Sequence, residues 1–200
     1  MLKQITKEIL NQLPAETKMT QEDILTIKKN KNFLFSIADD LVIDFYDTLF
    51  ANPETKAIFY EGERPLREKS LKMWLVETIN GDFDIDYWSW QTFVGILHVK
   101  RKVKNNMMIA MMGRVSDIIT TEAINNIPKE EVIALKSAWL KFSGTVLALI
   151  GEAYHIFYMK AVGNTTGLPQ KLLDNTVKVE IDNLIDQFSD YSRHKGLKND

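Results

Sequence analysis

The chain of 200 residues contains no cysteine, which excludes disulfides, thiolate metal sites and cysteine nucleophiles. Any metal must use histidine or oxygen ligands, and there are only three histidines, His98, His155 and His194. No His-x-x-x-His pair is present, and Glu152-Ala153-Tyr154-His155 is a single Glu-x-x-His where a di-iron bundle needs two, so zinc-hydrolase and di-iron readings find no support. Glycine-rich phosphate loops, a Gly-x-Ser-x-Gly elbow and paired carboxylates in an apolar run are missing too, which removes the usual marks of phosphoryl transfer and hydrolysis. Neither sign of charge dominates: 25 Lys and Arg stand against 27 Asp and Glu. Without a global positive field, and with only the short basic run Lys100-Arg101-Lys102-Val103-Lys104, no nucleic-acid partner is expected. Long apolar runs are scarce as well. Charges recur through Met1 to Glu8, unlike a secretion signal, and the best membrane candidate, Phe142 to Met159, is interrupted by Glu152 and His155. That segment reads as a helix buried by protein, and a cytoplasmic protein without a membrane partner is expected.

What is present is ordinary globular composition, 45% hydrophobic and 26% charged, enough for one buried core. Apolar spacing is helical almost throughout and nowhere alternates cleanly, which predicts an all-α protein. A leading helix over about Leu2 to Leu13 stops at Pro14. Thr20 caps the next, with Gln21, Glu22 and Asp23 suiting a first turn. From Phe33 the set Leu34, Ile37, Leu41, Phe45, Thr48 and Leu49 predicts one helix with Phe45 inside, ending at Asn52-Pro53. After Gly62 to Pro65 a helix runs to Ile79 and stops at Asn80-Gly81. The next starts near Asp84 and carries His98. Asn105-Asn106 offers a cap for a methionine-rich helix to about Asn125. Pro128 opens the longest helix, to about Val162. Gly163 to Pro169 reads as a linker, and Leu173, Val177, Ile181, Leu184, Phe188 and Tyr191 predict a final amphipathic helix.

His98 lies in the apolar segment Thr92-Phe93-Val94-Gly95-Ile96-Leu97-His98-Val99. It is either a core histidine bonded to a carbonyl or a neutral imidazole ligating a metal in a greasy pocket. Gly95, one turn earlier, costs the helix about 0.5–1 kcal/mol relative to alanine, which a flat ligand on that face would explain. His155, beside Tyr154, Phe157 and Tyr158 in the long helix, could be a second ligand in a bis-histidine site, although nothing nearby resembles a prepared pocket, and His194 reads as exposed. Tyr46 reads as a tyrosine at the core edge or, if a pocket exists, as a hydroxyl donor to a ligand.

The order Ile43-Asp44-Phe45-Tyr46-Asp47, Asn52-Pro53-Glu54-Thr55, Ile79-Asn80-Gly81-Asp82-Phe83-Asp84 and Gly95-Ile96-Leu97-His98-Val99 resembles the sensor globins: the globin domain of globin-coupled sensors and the single-domain protoglobins. The resemblance covers about residues 20 to 162. It implies a globin fold with an extra N-terminal helix and an added C-terminal helix, a haem-binding domain over 1–162, and a linker plus helix over 163–200. It implies haem b as cofactor, His98 as proximal iron ligand, Tyr46 as distal donor and Phe45 as pocket wall. Counting back from His98 places Ser70 at a second distal hydroxyl and Leu71 at an apolar position over the haem. Trp74, Val94 and Met111 complete the implied haem-contacting set. Two departures stand out: Met107-Met108 replaces a common Trp-Tyr pair, and Val99-Lys100-Arg101-Lys102 is less apolar than the family's continuation, with a cation able to reach haem propionates.

The implied function is reversible binding of a diatomic gas, O2, CO or NO, for sensing or as a stand-alone globin. A haem enzyme (NO dioxygenase, nitrite reductase or peroxidase-like) and a haem-free interaction module are the alternatives. The residues after Val162 suffice for one helix and not for an output enzyme, so the chain either signals to a partner in trans, works as a stand-alone gas-binding globin, or uses its last helix to dimerise. The resemblance also implies a homodimer through the last two globin helices, where Gly144 and Gly151 permit close approach.

Overall fold

A computed structural model of the chain describes residues 1–188 and is helical throughout, with no strand among the described residues. His194 and Tyr191 lie outside that range. The helices are α1 (Leu2–Gln12), α2 (Gln21–Lys29), α3 (Lys31–Ser36), α4 (Ala38–Ala51), α5 (Pro53–Lys56), α6 (Arg64–Asn80), α7 (Ile85–Arg101), α8 (Asn105–Asn126), α9 (Lys129–Thr166) and α10 (Gln170–Gln187). Two compact units divide within α9, the first being Met1–His155 and the second beginning at Ile156.

Local chemistry explains several helix boundaries. Thr20 and Asp23 form a reciprocal capping box at α2, and Asp84 caps α7 by accepting from the amides of Asp86 (2.9 Å) and Tyr87 (2.8 Å). Asn52 ends α4 and also caps α5, its Oδ1 accepting from the Glu54 amide at 2.9 Å. Three expectations need correction. The helix predicted from Phe33 to Asn52 is two, with a turn at Ile37 (φ −97°, ψ −3°) between α3 and α4. Asn105 does not cap α8; Lys104 holds that place without a side-chain bond. The linker expected from Gly163 instead continues α9 to Thr166, until Gly167 at φ +73° ends it.

In the first unit the core is centred on α9. Leu135, Trp139, Phe142, Val146 and Leu149 are essentially inaccessible, as are Ile27, Leu41, Ile79 and Ile119 on other helices. Phe142 joins an aromatic cluster with Trp139 (5.0 Å between centroids), Trp74 (5.9 Å) and Phe83 (5.7 Å). Helix α1 packs along α7, joined by a buried hydroxyl pair, Thr6 Oγ1 to Thr92 Oγ1 at 2.8 Å. Helix α4 lies against α6 and α8 and is tied to α8 by a two-pronged bond from Arg114 to Asp44, at 2.8 and 2.7 Å.

The segment Gly81-Asp82-Phe83-Asp84 sets where α7 starts. Asp82 pairs with Lys28 of α2, Asp84 caps α7, and Phe83 plugs the core at 7% exposure, stacked on Trp88. Phe83 pays for this with φ +52°, a left-handed conformation rare for an aromatic residue, tolerated because the surrounding rings hold it.

Helix α9 is the one described helix long and apolar enough to cross a membrane, and half of its most apolar window is buried in protein. In the second unit, Leu173 of α10 is buried and approaches Gly163, while Val177, Ile181, Ile185 and Phe188 are exposed.

Candidate functional site

A cavity of about 550 Å³ opens between α4, α6, α7, α8 and α9, inside the first unit and within the size range of small-molecule and cofactor sites. Helical periodicity builds its walls. Helix α7 presents Gln91, Val94, His98 and Arg101, each about one turn after the last; α6 presents Arg67, Ser70, Leu71 and Trp74; α8 presents Met108, Met111 and Val115. Phe45 and Tyr46 close the wall from α4. All eight residues singled out from the sequence thus border one space: His98, Tyr46, Phe45, Leu71, Trp74, Val94, Ser70 and Met111.

Their settings differ. The His98 imidazole is lowered to a pKa of about 4 by burial alone, with no neighbouring charge or hydrogen bond contributing, so it is neutral and its nitrogen lone pair is available. The phenol of Tyr46 is 6% exposed, and desolvation pushes it up to about 12; among the described residues it makes no side-chain hydrogen bond. Tyr46 therefore faces inward more fully than Phe45, which is half-buried, reversing the expectation that Phe45 is the interior residue of the pair. Phe45 meets Tyr46 edge-on at 5.3 Å, and Phe59 does so at 5.9 Å, fixing the phenol ring. The Ser70 hydroxyl donates to its own helix, to Leu66 O at 2.9 Å, and is exposed.

His155 is exposed and borders no part of the cavity, which removes it as a second ligand beside His98. Gly95 also needs a different account. A Cβ there would meet the Ile150 carbonyl oxygen at 2.6 Å, so the glycine serves the crossing of α7 on α9 and not a ligand on its face.

Some lining residues escaped sequence reasoning. Gln91 is fully buried; its Oε1 accepts from Trp74 Nε1 at 3.1 Å, which links the α6 and α7 walls, while its Nε2 meets no partner at full hydrogen-bond geometry among the described residues. Counting back two turns from His98 would have reached it. Met107, Met108 and Met112 join Met111 on the wall, so the methionine run is lining in addition to core. At the rim, Arg67 and Arg101 both line the cavity and share the Glu63 carboxylate. Arg67 Nε donates to Glu63 Oε1 at 2.6 Å, Arg101 Nη1 to Oε2 at 3.2 Å, and the Tyr60 amide to Oε2 at 3.0 Å. The Arg101 guanidinium and the Tyr60 amide, with help from Arg67, hold Glu63 at a pKa of about 2. Arg101 also stacks over the Tyr60 ring at 4.7 Å.

An all-helical fold enclosing an apolar cavity with a histidine on its wall fits a globin. The protoglobin family model matches residues 6–159, and the chain belongs to that family. Its fold is similar to the globin domain of the Geobacter sulfurreducens globin-coupled sensor, at 22% identity and a TM-score of 0.64, covering 68% of this chain and 90% of that one. None of the curated proteins matches the chain.

Proposed function

We propose that this globin holds haem b in the cavity through His98 and binds a diatomic gas there. The observation that carries the reading is a neutral imidazole that makes no side-chain hydrogen bond among the described residues, sharing an apolar cavity with a buried tyrosine hydroxyl that likewise makes none there. The donor set fits: Val94, Leu71, Trp74 and four methionines suit the faces and apolar edge of a porphyrin, and the rim arginines suit its carboxylates. Haem, when bound, supplies an iron centre able to take O2, CO or NO. The protein's own contributions are distinct. His98 offers a nitrogen lone pair over the whole physiological pH range, because burial keeps protons off it. Tyr46 stays protonated and is a hydrogen-bond donor toward a ligand in the cavity, while the methionines and Val115 exclude water.

In this reading the globin is cytoplasmic and forms a homodimer through α8 and α9, supported by exposed Ile109, Ile124, Ile133 and Leu140 and by open space around Gly144. A sensing role requires that gas binding favour one of two states of that interface, read by a signalling partner in trans. The test is the visible spectrum of protein purified with haem supplied, in ferric, ferrous and CO-bound forms. A Soret band that collapses in His98→Ala is expected. Absence of the band in the wild type, or an unchanged ferrous spectrum and haem content in His98→Ala, overturns the proposal.

A further inference from the structure

Among the described residues, Glu63 is the one acidic group set directly against the cavity's two rim cations. Its side chain is only 8% exposed, clamped by Arg67 of α6 and Arg101 of α7, yet Glu63 itself does not line the cavity. The two guanidiniums therefore have an acid behind them and the cavity in front. One carboxylate cannot saturate two guanidiniums, which together present ten N–H donors, so donors remain for a second anion arriving from the cavity side. Other acids nearby do not compete for this place. Glu68 and Asp47 are taken by Arg64, whose Nε donates to Glu68 at 2.6 Å and whose Nη2 donates to Asp47 at 2.6 Å.

We propose that Arg67 and Arg101 form a carboxylate-binding subsite at the cavity rim, and that Glu63 is a built-in competitor that holds both arginines until a ligand carboxylate draws them inward. The inference rests on the reading of the cavity as a porphyrin site and adds a specificity element to it. Free-acid porphyrin is admitted by exchange of one carboxylate for another, whereas an esterified or otherwise uncharged porphyrin gains nothing from the exchange. Because Glu63 and Arg101 bridge the 60–63 segment to the end of α7, the same exchange releases Tyr60 from the Arg101 guanidinium.

The experiment compares Fe(III) protoporphyrin IX with its dimethyl ester, titrated into the full chain and followed by the Soret band and by quenching of tryptophan fluorescence. Wild type is expected to prefer the free acid. In Glu63→Gln, which keeps shape and removes charge, affinity for the free acid is expected to rise roughly five- to tenfold while the ester changes less than about twofold. Arg101→Gln is expected to erase most of the preference, and it keeps the inference open to refutation if the Glu63 variant misfolds. An equal free-acid to ester ratio in wild type and Glu63→Gln, a weaker free-acid affinity in Glu63→Gln, or a preference that survives Arg101→Gln overturns the competitor role while leaving the porphyrin reading intact. Failure of wild type to bind either porphyrin overturns both.

Discussion

Gly95 lies so close to Ile150 that a Cβ on the glycine would stand 2.6 Å from the Ile150 carbonyl oxygen and 2.8 Å from the Ala153 Cβ. Helix α7, which carries His98, is thus seated on α9 by the absence of a side chain. Gly95→Ala is expected to lose about 1–3 kcal/mol by overpacking, despite the better helix propensity of alanine. Gly144→Ala, where a Cβ meets nothing within 4 Å, is expected to be neutral or up to about 1 kcal/mol stabilising in the isolated protomer. Urea midpoints of the two variants check the contrast.

The Thr6–Thr92 hydroxyl pair, fully buried at 2.8 Å, fixes α1 against the helix bearing His98. Each hydroxyl also has a carbonyl in reach, Leu2 O for Thr6 and Trp88 O for Thr92, both at 3.0 Å. Thr6→Val is expected to cost about 1 kcal/mol, and the double variant Thr6→Val/Thr92→Val less than the sum of the singles. A double-mutant cycle by chemical denaturation that adds without coupling would refute the pair.

His98 sets a pH dependence. Its folded pKa of about 4 lies below the ordinary imidazole value of 6.5, so between those values the unfolded chain takes a proton that the folded chain refuses. Stability of the haem-free protein is complete above about pH 6.5 and falls as pH drops toward 4, by on the order of 2 kcal/mol from this group. His98→Gln is expected to flatten that part of the profile, measured by denaturation across the window.

Tyr46→Phe separates ligand chemistry from folding. Because the hydroxyl makes no side-chain hydrogen bond among the described residues, its removal is expected to leave haem-free stability within about 0.5 kcal/mol or raise it. Dissociation of O2 from the haem-loaded protein is expected to accelerate roughly tenfold, the loss of one hydrogen bond. Stopped-flow rates equal to wild type would remove Tyr46 from that role.

Leu140→Asp places a charge on an exposed apolar position of α9, at 54% exposure. Sedimentation velocity is expected to show a dimer for the wild type and a monomer for the variant, with helicity unchanged. A variant that stays dimeric places the interface elsewhere.

Much of the frame is local in origin and so could be read along the chain. Thr20 with Asp23, Asp84, Asn52 and Pro128 mark helix boundaries through bonds made within a few residues, and period alone identifies the apolar stripes. The break at Ile37 was not legible, because nothing in Ser36-Ile37-Ala38 differs from a continuing helix; packing of the separate elements decides it. Of the pair Phe45-Tyr46, hydropathy put the phenylalanine inside, yet the turn of α4 against α6 and α8 buries the tyrosine.

The sequence alone determined an all-helical protein, the helix on which His98 rides, and the set of side chains one turn apart that could face a common ligand, since those depend on spacing within single elements. Tertiary structure decided what those residues do to one another. Burial strips His98 of its proton, the Ile150 carbonyl explains Gly95, and Glu63 meets Arg67 and Arg101 only because the start of α6 and the end of α7 converge at the cavity rim. Desolvation, close approach and long-range charge pairing arise between elements, where the spacing of residues along the chain carries no record of them.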